Sequence, residues 1–151
     1  MGYSVLLVLH AVSAGVLAGA SIHNGLMGYA FLRRGEMGNV RLRRLYPAVL
    51  GIAFILTFSL GALVYPTFRV EVRAAWLDEQ LPWVTMLFEI KEHLLAIAGL
   101  VLLYLVPSSL RLSPEPIGAD HRLCATASLF VMGVVSYALL IGLFTTTLSP
   151  S

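Results

Sequence analysis

Four stretches of this chain are each long and apolar enough to cross the hydrocarbon core of a bilayer. No other feature constrains the fold as strongly. A span needs roughly 20 mostly apolar residues, and such runs lie at about residues 3–32, 45–65, 83–106 and 123–148 of the 151. Composition points the same way: 58% of residues are hydrophobic and 12% charged, against the about 25% charge of a soluble domain. With 8 acids and 10 bases, the chain has no broad basic face for a nucleic-acid partner. The expected fold is all-α, a single integral membrane four-helix bundle over residues 1–151.

Prolines mark the expected limits. Pro47 fits the first turn of the second span and Pro66 follows its end; Pro82 precedes the third span and Pro107 follows it; Pro150 follows the fourth. The basic residues set orientation. Arg33, Arg34, Arg41, Arg43, Arg44, Arg111 and Arg122 fall in the first and third loops, and only Arg69 and Arg73 in the second. The positive-inside rule then puts loops one and three in the cytoplasm and both termini outside, in a bacterial-type inner membrane. The long outer loop, "PTFRVEVRAAWLDEQLP", carries Arg69 and Arg73 at i, i+4 with Trp76 and Trp83 nearby. It reads as a helix or an extended turn at the interface.

Cys124 is the single cysteine, so an internal disulfide or a CxxC redox motif is excluded. The first apolar run is too long for a signal-peptide core and has no basic segment ahead of it, so it reads as a retained anchor. Gly15 and Gly19 stand in small-xxx-small register, and Gly51, Gly61, Gly99, Gly133 and Gly142 add further points where helices can approach.

All four histidines lie in or at the edge of a span. His10 sits about 10 Å below the outer face and His93 about 15 Å, from a rise of ~1.5 Å per residue. The two are expected to meet in the outer half of the bundle. His23 lies about 20 Å beyond His10 on the same helix by that rise. It comes near the cytoplasmic face, where His121 opens the fourth span and offers a second pair. Paired imidazoles from different helices are what a six-coordinate haem iron requires, and buried histidines in a span are costly unless they bond or ligate. The inner pair carries an angular difficulty: thirteen residues turn His23 roughly 140° from His10 on an ideal helix. Plainer roles compete. His121 would help Asp120 cap the fourth span; His23 would be an interfacial polar residue beside Ser21 and Asn24; His10 would be a hydrogen-bonded interior histidine.

"FEIKEHLLAIAGLVLLYLV" places Glu89, Lys91, Glu92 and His93 at the mouth of the third span. Glu89 is one turn before His93 and is positioned to orient its ring. Lys91 is expected to snorkel to the outer interface. The alternative is a salt-bridged collar at the water boundary. Arg69 and Arg73 would hold haem propionates at the outer mouth, or anchor the loop and pair with Glu71, Asp78 or Glu79. A di-iron centre lacks its second Glu-x-x-His helix. Copper passage would need methionine and cysteine ligands along a path, and Met27, Met86 and Met132 make no motif with a histidine.

The topology with His10, His93, His23 and His121 resembles the small b-type cytochrome subunits of respiratory complexes. The opening "LHAVSAGVLAGASIHNG" is similar to the first helix of the copper-resistance-protein-D type of membrane family. The first resemblance implies haem b, one or two, a quinone or other redox partner, and association with a larger complex in the lipid bilayer. The function expected is electron transfer, with His10 and His93 holding an outer haem and His23 and His121 an inner one. A cofactor-free accessory subunit is the competing expectation, and a small transporter or copper-uptake component a weaker one.

Overall fold

A computed structural model describes residues 2–35, 38–112 and 118–148. Four long helices dominate: α1 (Gly2–Arg34), α2 (Val40–Phe68), α3 (Pro82–Arg111) and α4 (Ala119–Leu148). From α2 the chain continues helically through a π-helical stretch, Arg69–Leu77, and a last α-turn, Asp78–Gln80. All four are long and apolar enough to cross a membrane.

Local chemistry explains the element ends. Gly35 adopts φ +69°, a conformation that suits glycine, and its N–H returns to Phe31 O at 2.8 Å to close α1. Asn39 caps α2, its side chain accepting from the Arg41 and Leu42 N–H groups at 2.9 and 3.4 Å. Pro82 occupies the first turn of α3 after Leu81, where its missing N–H costs nothing.

Three proline expectations are corrected. α2 starts at Val40, so Pro47 lies inside it, and it runs past Pro66 to Phe68. α3 likewise runs through Pro107 to Arg111. Neighbouring helices and local adjustment of the hydrogen-bond spacing sustain such helices; after Pro66 the spacing widens to the π type from Arg69. The second apolar element therefore covers 41 residues, Val40–Gln80. At ~1.5 Å per residue that is about 60 Å, twice a hydrocarbon core of about 30 Å. The segment after Phe68 is a helical extension of α2, the helical one of the two forms expected for it.

Around the bundle, α1 packs against α2 and α4, and α3 against the same two, so α1 and α3 lie across the diagonal. Leu50, Leu105 and Val131 are fully buried at the centre, with Leu17, Ala18, Leu102 and Val135 around them. Outside, Val8, Val12, Ile52, Ile55, Leu100 and Leu103 are each more than 60% exposed. Helices apolar on both faces belong in an apolar solvent.

Closest approach of α1 and α4 is made by Gly25 and Gly28. A Cβ on Gly28 would stand 2.8 Å from Ala125 O, and one on Gly25 2.5 Å from Met132 Sδ. Gly15 and Gly19, the pair in small-xxx-small register, face open space.

One end of the bundle gathers the arginines of the first and third loops; the other holds the α2–α3 hairpin and the N-terminus of α1. These are the arginine end and the hairpin end below.

Candidate functional site

Toward the hairpin end, α1 turns His10 onto α2. Nδ1 lies 3.1 Å from Thr57 O, and because a carbonyl only accepts, Nδ1 carries the proton and Nε2 the lone pair. Gly61 makes room for the ring: a Cβ there would stand 3.1 Å from Cε1. Beside this bond the Thr57 hydroxyl is buried with no hydrogen-bond partner.

α3 presents Val84, Phe88, Ala98, Leu102 and Leu105 to the core. The same helical stripe contains Lys91. Its ammonium lies 3.4 Å from the centre of the Phe88 ring. Phe88 in turn stacks on Phe68 and Tyr65, at 4.9 and 6.5 Å. Lys91 therefore rests inward on an aromatic shelf, its ammonium turned one helical turn back toward the hairpin end.

His93 points the other way. Two residues beyond Lys91 is a turn of roughly 200°, and His93 is exposed on the outward face with Glu89, Ile90, Ile97 and Leu100. Its Nδ1 lies 2.8 Å from Glu89 O, so the backbone carbonyl of Glu89, rather than its carboxylate, fixes the ring. The Glu89 carboxylate pairs instead with Arg73. Arg73 also binds Asp78 at 3.3 Å, and Thr85 Oγ1 donates to Asp78 Oδ1 at 2.8 Å. Arg73 thus ties the helical extension to the start of α3, while Arg69 is exposed.

Contacts along α2 show the relative heights. Tyr65 meets Phe88, and a Cβ on Gly99 would touch Phe54 at 3.3 Å. Five residues along α3 from Phe88 correspond to five back along α2 from Tyr65, so His93 is level with Leu60. His10, lodged between Thr57 and Gly61, occupies the same level. The two imidazoles share a height but neither a face nor a helix–helix contact.

At the arginine end, Asn24 Nδ2 donates to Ser128 Oγ at 2.9 Å and Ser128 Oγ to Cys124 O at 2.7 Å, all buried. Arg43 bonds Met27 O at 3.2 Å and covers the Phe31 ring at 4.5 Å; Arg44 bonds Leu112 O at 2.6 Å. A cavity of about 20 Å³ lies among Asn24, Arg43, Ser109, His121, Cys124 and Ser128, room for a single water. His121 is buried there and its Nδ1 accepts the Gly118 N–H at 3.3 Å, a capping bond at the start of α4. His23 is exposed and stacks on Tyr46 at 4.2 Å. His23 and His121 therefore engage different neighbours.

These positions do not fit a bis-imidazole haem enclosed by one chain. His10 leans on α2 while His93 faces out. His23 covers Tyr46 while His121 caps its own helix. Among the described residues no group of three or more His, Cys, Asp or Glu side chains could hold a metal ion. Two inward placements are not announced by the sequence: Lys91, expected at the interface, where register with Phe88 and Ala98 is the available signal, and Asn24, which stands beside His23 without a motif of its own. Comparison with family models, with curated proteins and with solved structures found no match to this chain.

Proposed function

We propose that this chain is an integral membrane subunit that packs beside a larger partner, with the arginine end in the cytoplasm and both termini on the opposite side. The outward face of α3 around His93 is its contact with that partner. One observation carries the reading: an exposed imidazole among Ile90, Ile97 and Leu100. Its level, that of Leu60, is sixteen residues from Arg44, or about 24 Å up a core of about 30 Å. An imidazole turned to lipid at that depth is costly. A partner helix offering a donor to Nε2 removes the cost. The bundle itself serves assembly and packing, the accessory role.

A second reading, electron transfer through haem b with or without a quinone, is supported by the two Nδ1 bonds. His10 and His93 both hold the tautomer with Nε2 available, the one an axial ligand uses. On this reading the chain lends an imidazole to a group it does not enclose.

Extraction in a mild detergent, followed by sizing and a reduced-minus-oxidised spectrum, tests both. The accessory role predicts a colourless species larger than one bundle in its micelle. The haem reading predicts a sharp haem b band that His93→Ala removes. A colourless, solitary bundle would count against both.

A further inference from the structure

We infer that Lys91 and His10 form a head site for the anionic group of a single amphiphile, a phosphate or carboxylate at the non-cytoplasmic surface. Lys91 is the cation that α3 turns inward, and among the described residues no carboxylate lies within ion-pair distance of it: both ion pairs belong to Arg73. Glu92 is adjacent to it in sequence, but neighbours in sequence do not face each other on a helix. The ammonium has three donors and lies over the face of Phe88.

Across the diagonal, His10 is partly buried against Gly61, one helical turn from Tyr65, whose ring meets the Phe88 ring that carries the ammonium. The buried, unpartnered Thr57 hydroxyl lies beside it. An oxyanion accepts from the ammonium, from the hydroxyl and, once His10 takes up a proton from water, from Nε2–H, while Nδ1–H stays on Thr57 O. Height selects an amphiphile. Three residues along from Phe88, Lys91 is level with Ala62 by the same contacts. That is about 27 Å from Arg44, at the edge of a core of about 30 Å, where headgroups lie. Access is lateral, since α1 buries no residue ahead of Leu17.

The full chain, delipidated in neutral detergent, is titrated with oleate, dioleoylphosphatidylglycerol, dioleoylphosphatidylcholine and inorganic phosphate. Melting temperature and native mass spectrometry are the readouts. One anionic amphiphile per chain should be retained and should raise the melting temperature, with dioleoylphosphatidylcholine inert. Lys91→Gln should weaken binding at least about tenfold, the loss of a charge-assisted contact. His10→Gln should weaken it less, and Lys91→Arg should retain it. An Arg41→Gln/Arg122→Gln variant should bind normally, which separates this site from lipid gathered at the arginine end. Equal binding by Lys91→Gln and the parent chain, with both melting cooperatively, would overturn the inference, as would no binding by the parent. A response to inorganic phosphate equal to that of the amphiphiles would overturn the choice of an amphiphile.

Discussion

Valine in place of Gly28 should lower the stability of the bundle by about 3 kcal/mol or more, among the largest effects any single surface-sized change can have here. The obstacle is backbone. A Cβ at this position meets Ala125 O at 2.8 Å and Ala125 Cα at 3.3 Å, and neither atom can turn aside. α1 and α4 must separate. One turn away, separation breaks the buried Asn24–Ser128 bond of 2.9 Å, whose partners then lie unsatisfied in an apolar interior at about 1 kcal/mol or more. Gly25→Ala should destabilise too but less, because the Met132 sulfur it meets at 2.5 Å can turn aside while Met132 Cβ at 2.7 Å cannot, and alanine adds one carbon where valine adds three. Gly19→Val should leave stability unchanged, because open space surrounds it. Unfolding midpoints of the three variants in one detergent check the order. A damaging Gly19→Val beside a harmless Gly28→Val would show that α1 packs through its other face.

His93→Leu should leave the isolated bundle as stable as the parent and detach it from its partner. Within the chain the His93 side chain makes one bond, to the carbonyl one turn back on its own helix, and that carbonyl is already used by the helix. Leucine at an outward position in lipid removes a polar group that costs free energy there. In the proposed assembly the same change would delete the hydrogen-bonding nitrogen offered to the partner. Where that contact is central, loss of 2 kcal/mol or more, roughly thirtyfold in affinity, is typical. Sizing and melting of the same preparation read both effects. A variant that melts early but remains associated would place His93 in the fold rather than the interface.

The four helices were legible because each is a long apolar run, and the arginine clusters marked which ends of the helices lie together. Height was legible too: rise per residue alone put His10 and His93 near a common level, and the contacts through Tyr65, Phe88, Phe54 and Gly99 agree. Facing was not legible. A soluble helix declares its inner face by an apolar stripe. Here Leu100 and Leu103 are exposed while Leu102 and Leu105 are buried, so hydrophobicity does not separate the two sides. The rotational phase of α3 was therefore undetermined, and with it the choice between Lys91 and His93 as the inward residue. Glycines misled for a related reason. Gly15 and Gly19 have the familiar spacing, but Gly25 and Gly28, three apart, meet α4. Pro66 and Pro107 looked like helix ends because the rule that proline breaks helices is strongest in water; here α2 and α3 continue through them.

The account turns on which side of α3 looks inward, and a nitroxide scan of positions 88 to 100 in a Cys124→Ser background measures that. Oxygen collision rates in bilayers should be low at 88, 91, 95 and 98 and high at 90, 93, 97 and 100. A minimum at 93 with a maximum at 91 would turn the imidazole into the bundle and the ammonium out, and would contradict both the partner face and the head site.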